Sequence, residues 1–379
     1  MKKTLLSIAL SALSMLASAQ NFTLGADISW YTEIQSKGFK FYNAEGEVRD
    51  CPELMKEAGM NAARLRVWVN PAGSYCGKDD VVKKAAAAKA AGLDVMIDFH
   101  FSDTWADPSN QAIPSAWKSH SAAELKTDIA NHVTEVLTAL KNAGVTPRWV
   151  QIGNETNDGL LWELGKASKY PTNYKNYVAA GYDAVKAFNS SILVIVHISN
   201  ANDQSLFDWN IGLLNQNKLD IIGMSLYPDD FSKQITEQKI SEYIANVKHL
   251  YTKFGKNCML VEVGVPVGQP EESYETLKKV LDLSKNSADG HCLGVFYWEP
   301  DAYAGYNGGY SLGASTKVGT KIKLTKAMDA FKEMSVPDGI ESVSLSKKDN
   351  SGIYNLQGQR LNGEPSKGFY IKGNKKYAK

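Results

Sequence analysis

Eight short apolar runs, each closing on polar residues and each followed by a stretch of helical periodicity, limit this chain to few folds. They occupy residues 24–29, 62–69, 95–100, 149–155, 192–198, 221–227, 259–263 and 293–298. Such alternation implies parallel strands joined by crossover helices, because parallel neighbours need a long return connection and a helix covers the sheet face it crosses. Between the runs, residues 81–91 are rich in alanine, the strongest helix former, and residues 124–142 space apolar side chains three and four apart. Eight repeats over roughly 310 residues fit a closed (β/α)8 TIM barrel of the α/β class. An open doubly wound sheet is the competing arrangement, but no G-x-G-x-x-G follows the first run, so a dinucleotide site has no support.

A chain of 379 residues with 44% hydrophobic side chains can bury one large barrel core and still carry a small appendage. The texture changes after Phe331: Ser335-Val336-Pro337-Asp338-Gly339 reads as a linker, and short apolar runs then alternate with Gly, Asn and Lys. The expected organisation is a leader at 1–19, a catalytic barrel at 20–334, and a linker with a small β-type or disordered tail at 335–379. From Glu341 onward eight Lys or Arg face three Asp or Glu, an ordinary solvated surface.

The leader is a secretory signal peptide by its layout: Lys2 and Lys3, an apolar run from Leu5 to Leu16, then Ala17-Ser18-Ala19 before Gln20. Cleavage after Ala19 is expected. No Cys follows that site, so no lipid anchor is indicated, and no later apolar run approaches the roughly 20 residues of a spanning helix. The mature protein is expected to be exported to the periplasm or beyond, without a membrane anchor. A net charge of +1 with no block of like charges in the main body gives a phosphate backbone nothing to bind, which argues against nucleic acid as a partner. A monomer is the default.

Cys51, Cys76, Cys258 and Cys292 follow the leader, and their spacing matches no zinc pattern. In an oxidising compartment Cys51 would pair with Cys76 and Cys258 with Cys292; four buried reduced thiols are the equal alternative.

Chemistry is sought at the carboxyl ends of barrel strands, where the loops build active sites. The fourth run ends Gly153-Asn154-Glu155 and the seventh reads Leu260-Val261-Glu262-Val263, so two carboxylates stand where apolar side chains would otherwise finish a strand. Either alone reads most simply as half of an ion pair with a barrel arginine. Together they fit a retaining glycosidase, which places two carboxyls about 5 to 5.5 Å apart, one to attack the anomeric carbon and one to protonate the leaving oxygen. Spacing alone does not assign the two roles.

Longer motifs narrow the family. Asp98-Phe99-His100-Phe101-Ser102-Asp103-Thr104-Trp105-Ala106-Asp107-Pro108, with Gln111 and Trp117 following, resembles the third-strand signature of glycoside hydrolase family 53, the endo-β-1,4-galactanases. Asn61-Ala62-Ala63-Arg64-Leu65-Arg66-Val67-Trp68, Gln151-Ile152-Gly153-Asn154-Glu155, Gly223-Met224-Ser225-Leu226-Tyr227-Pro228 and Gly294-Val295-Phe296-Tyr297-Trp298-Glu299-Pro300 resemble it too, so the likeness spans nearly the whole barrel. It implies hydrolysis of β-1,4-galactan, with Glu155 as general acid/base, Glu262 as nucleophile, and Asn154 on the sugar 2-hydroxyl. A different β-glycanase of the same barrel clan, such as a mannanase or cellulase, is the nearest alternative. A non-catalytic glycan-binding barrel is the more distant one.

Supporting roles follow from position. Arg64 and Arg66 lie two apart on one face of the second strand, where one or both would hold Glu262 charged; pairing with other barrel carboxylates is the alternative. His100 and His197 fall at the active rim and are expected to position the carboxylates, as Ser225 and Tyr227 are for Glu262. Trp298 is expected to stack under the sugar being cleaved, with Trp105 and Trp117 extending the groove and Asp103 bonding galactose hydroxyls; core packing is the alternative for each aromatic. No cofactor is expected. The stretch after the seventh strand, Gly264-Val265-Pro266-Val267-Gly268-Gln269, lacks the acidic run of a calcium loop, so no metal is expected there. After the eighth strand, Asp301-Ala302-Tyr303-Ala304-Gly305-Tyr306 departs from the family's Trp-containing form.

Overall fold

The computed structural model describes residues 22–336, 353–355, 360–372 and 375–378. All eight apolar runs become strands: β1 (Thr23–Asp27), β2 (Ala62–Val67), β3 (Asp94–Phe99), β4 (Trp149–Ile152), β5 (Leu193–Ile198), β6 (Ile221–Leu226), β7 (Asn257–Val263) and β8 (Cys292–Trp298). Each pairs in parallel with the next, and β1 pairs with both β2 and β8, so the sheet closes into a (β/α)8 barrel. Helices on the outside cover it. The helix Ala122–Asn142 starts with a capping box between Ser121 and Glu124 and buries one stripe containing Leu125, Ile129, Val133, Val136 and Leu140. The alanine-rich helix spans Lys78–Ala90, beginning three residues earlier than the apolar pattern because Asp79 and Asp80 suit a first turn.

Side chains alternate along each strand, and that period sorts the barrel interior into layers. Ala62, Met96, Trp149, Ile195, Ile221, Met259, Val261 and Phe296 form an apolar inner plug. Two residues further along the same strands, the inward positions turn polar: Arg64, Asp98, Gln151 and His197 are all buried, at 0 or 1% exposure. The strand ends thus carry a layer of charge that only internal partners can satisfy.

Strand β7 breaks the alternation. Met224 of β6 pairs with Leu260, but the next residue, Ser225, pairs with Glu262, so β7 carries a bulge at Val261. Leu260 and Val263 pack into the outer core while Val261 joins the inner plug. The extra residue re-aims the strand, and Glu262 points into the barrel directly after Val261.

A small sheet at one end, made of Lys40–Tyr42, Val48–Arg49, Ser315–Val318 and Lys321–Leu324, was not evident in the sequence. Its four strands are short, and two of them arise from long loops. The described residues divide into two compact units between Ser335 and Val336. In the second, Arg360–Leu361, Ile353–Tyr354, Phe369–Lys372 and Lys375–Ala378 form an antiparallel sheet, so the described part of the tail is β-structure.

The disulfide pairing expected from the sequence is not formed: all four cysteines are buried free thiols. Cys258 and Cys292 do sit opposite one another on β7 and β8. The Cys292 thiol, however, is taken up by the Gly294 carbonyl at 3.5 Å and the Tyr243 hydroxyl at 3.2 Å, while Cys76 faces the Ser29 carbonyl at 3.7 Å. The leader, its cut after Ala19 and the Pro337-Asp338-Gly339 part of the linker lie outside the described residues. Among the described residues no helix is long and apolar enough to cross a membrane.

Candidate active site

The carboxyl ends of the strands frame a cleft of about 280 Å³ that holds both glutamates, with His100, Asn154, Tyr227, Trp105 and Trp298 in its walls. Glu155 follows β4 on a backbone that only a few residues tolerate. Gly153 sits at φ 81°, where an added Cβ would lie 2.5 Å from Thr156, and Glu155 itself is at φ 44°. Phe101 after β3 and Glu299 after β8 also take positive φ, at 50° and 51°, so strained backbone concentrates at this rim.

Arg64 organises the floor. Its guanidinium donates to Asp27 at 2.7 Å, Asp98 at 2.9 Å, Asn154 at 2.9 Å and Gln151 at 3.2 Å, and lies 2.9 Å from Glu262 Oε1. Glu262 receives a second donor, the Tyr227 hydroxyl, at 2.8 Å. Glu155 has a different set. The Ser225 hydroxyl donates to its Oε1 at 2.7 Å, and His197 Nε2 lies 2.6 Å from that hydroxyl. Ser225 therefore serves Glu155, not Glu262 as expected, because the bulge in β7 moves Glu262 past it and toward Tyr227.

Burial pushes Glu155 up to about 7, with the Ser225 hydroxyl and Arg64 pulling the other way. Burial also raises Glu262, to about 8, opposed by Arg64 and Tyr227 and reinforced by the charge of Glu155. The charge of Glu155 disfavours a second charge on Glu262, so one of the two carboxyls keeps a proton. The donor geometry decides which one. Glu262 has a cationic and a neutral donor, whereas Glu155 has one neutral hydroxyl, and a charge-assisted bond is about twice as strong. The ionised form is best held at Glu262, leaving the proton to Glu155.

Both histidines serve as neutral braces. Burial, with Arg64 and His100 adding to it, holds His197 well below the usual histidine range. His100 Nδ1 accepts from Trp68 Nε1 at 3.2 Å and Ala106 N at 3.1 Å, so its Nε2 donates to Asp98 at 3.0 Å. His100 thus acts on Glu262 through Asp98 and Arg64.

Arg66 does not touch Glu262. It pairs with Glu299, and three indoles surround its guanidinium: Trp105 at 4.4 Å, Trp30 at 5.3 Å and Trp68 at 5.4 Å. Its Nε and Nη2 lack hydrogen-bond partners because aromatic faces occupy those sides. Trp298 packs edge-on to Trp30 at 5.0 Å and Tyr310 at 4.9 Å and keeps a partly exposed face toward the cleft. Asp103 stands elsewhere: it accepts from Asn70 N, Ser115 N and Ser115 Oγ at 3.0, 2.8 and 2.6 Å and braces a loop. Trp117 is 8% exposed and packs on His132, so for it the core reading holds.

Asp27, Asp98, Gln151 and Glu299 were missed as site residues. Asp27 and Asp98 had a visible signal, a carboxylate near the end of an apolar strand. Glu299, next after β8, had the same signal, whereas Gln151, a neutral side chain within its strand, had none. Among the described residues no group of His, Cys, Asp or Glu could hold a metal ion.

The model of glycosyl hydrolase family 53 matches residues 23–331. An arabinogalactan endo-β-1,4-galactanase A from Aspergillus niger is 31% identical over 316 residues, covering 77% of this chain and 88% of its own. A solved structure of fungal β-1,4-galactanases superposes with a TM-score of 0.74 at 26% identity, over 82% of this chain and 99% of the other. A family 53 catalytic domain from Ignisphaera aggregans shares the fold, with a TM-score of 0.71 at 24% identity over 84% of this chain and 97% of its own.

Proposed function

The chain belongs to glycosyl hydrolase family 53, and from that membership we propose an endo-acting β-1,4-galactanase that cleaves galactan and type I arabinogalactan by double displacement at Glu155 and Glu262. The observation that carries the mechanism is the unequal donor set of the two carboxyls in one cleft. Glu262, held ionised by Arg64 and Tyr227, attacks the anomeric carbon. Glu155, protonated, gives its proton to the glycosidic oxygen as that bond breaks; as a carboxylate it then takes a proton from the water that releases the sugar from Glu262. The Ser225 hydroxyl suits both states. It donates to the Glu155 carboxylate while accepting from His197 Nε2–H; with the imidazole in its other tautomer, Nδ1–H on Asn154 Oδ1, it can turn to accept from the protonated acid while donating to the bare Nε2.

Asn154, fixed by Arg64 and by its own bond to the Ala106 carbonyl at 2.8 Å, is placed to meet the sugar 2-hydroxyl. Trp298 supplies a face for the sugar under attack, with Trp105 beside it. The enzyme works exported, as a monomer, cut after Ala19, and without a cofactor.

The test is reducing-end release from debranched linear β-1,4-galactan, beside β-mannan and cellulose, with Glu155→Gln and Glu262→Gln as controls. Selective cleavage of galactan that both variants abolish is expected. Cleavage of mannan or cellulose alone would reject the substrate.

A further inference from the structure

One aromatic in the cleft has no part in the chemistry above. Phe231 lines the same cleft as the glutamates and is 54% exposed. Isolated apolar side chains on a surface are ordinary, but this one is held in place at a catalytic mouth. Its loop, residues 228–234, is clamped at both ends and at its tip. Asp229 pairs with Lys239 of the following helix, and Asp230 accepts from Ser232 N and Oγ at 2.9 and 2.7 Å. Gln269, beyond β7, donates to the Ser232 carbonyl at 2.9 Å, and Gln234 reaches Ser273 at 3.0 Å. The Phe231 ring stands 6.4 Å from that of Tyr227, tilted by 48°.

Order around the barrel gives the ring its place. Trp298 comes from β8 and Phe231 from the loop after β6, so they flank β7, which carries Glu262. Glu155, which protonates the leaving oxygen, is bonded to Ser225 of β6, so with the sugar under attack on Trp298 the departing chain leaves on the β6 side. Galactose suits such a ring, because its axial 4-hydroxyl gathers the C–H groups of C3, C4 and C5 onto one face, and that face stacks on an aromatic. We propose that Phe231 is the platform for the first galactosyl unit of the leaving chain, the unit whose oxygen Glu155 protonates. This rests on the galactanase reading above.

The test compares Phe231→Ala and Phe231→Trp with the wild-type protein on linear galactan and on β-galactobiosyl fluoride, whose one-atom leaving group reaches no platform. The kcat/KM ratio of galactan to fluoride should fall about 10-fold in Phe231→Ala, the order of one lost stacking contact, and return in Phe231→Trp. Galactobiose added as acceptor should also yield less transfer product with Phe231→Ala. An unchanged ratio, or an equal loss on both substrates, would overturn the platform. A wild-type protein that leaves galactan intact would instead sink the substrate assignment, and this inference with it.

Discussion

Arg64 Nη1 lies 2.9 Å from Glu262 Oε1 and 2.7 Å from Asp27 Oδ2, so one buried guanidinium binds the Glu262 carboxylate to the first strand of the barrel. An arginine at 1% exposure surrounded by three carboxylates is costly to bury, and the cost is offset only while every partner is present. The same contact favours the ionised form of Glu262, the state that the proposed nucleophilic role requires.

Replacement of Glu262, the proposed nucleophile, should leave a chemical signature. Glu262→Ala is expected to lose on the order of 10⁴-fold or more in kcat. Azide should restore part of it by entering the vacated face, giving α-galactosyl azide from the β-linked substrate. Glu155→Ala, by contrast, should yield β-galactosyl azide from a substrate with a good leaving group, since its nucleophile is intact. NMR of the azide products distinguishes the two, and exchanged anomers would reverse the roles.

Ser225→Ala should move the alkaline limb of the kcat/KM profile. With Glu155 near 7, the limb reports loss of the proton from the acid. The Ser225 hydroxyl supports the charged carboxylate more than the neutral acid, so its removal disfavours ionisation and the limb shifts to higher pH. A downward shift would show that the hydroxyl serves the protonated form instead. Ser225→Thr, which keeps the hydroxyl, should restore the wild-type limb.

His132 should limit stability in acid. It is 6% exposed among Phe99, Phe101 and Trp117, its Nε2 has no partner, and burial lowers it from 6.5 to about 4. The unfolded chain binds this proton first, so the native state loses stability as pH falls from about 6.5 to about 4, by about 3 kcal/mol at roughly 1.4 kcal/mol per unit. Thermal unfolding across that range should show a flatter slope for His132→Gln. Equal slopes would mean that other groups carry the acid dependence.

Much of the site was legible because barrel geometry turns a linear position into a place. A carboxylate at the end of an apolar strand must face the active rim, and on that ground Glu155 and Glu262 were found together; Asp27 and Asp98 carried the same signal. The supporting residues were harder. Arg64 and Arg66 are two apart on one strand, yet one meets Glu262 and the other is enclosed by Trp30, Trp68 and Trp105 against Glu299, a choice made by indoles from three other segments. Asp103, in the middle of the most telling motif, spends its carboxylate on Asn70 and Ser115.

The eight strands, the crossover helices and the two glutamates could be read along the chain, because hydrophobic period and strand-end position are local properties. Which donors each glutamate receives depended on how the strands pack together. Register between strands depends on pairing, and the bulge at Val261 is invisible in a run of apolar residues, yet it turns Glu262 inward to Arg64 and Tyr227 and leaves Ser225 to Glu155. A shift of one residue in a strand moves a side chain to the opposite face, so the different donors of the two carboxyls follow from packing between neighbouring strands.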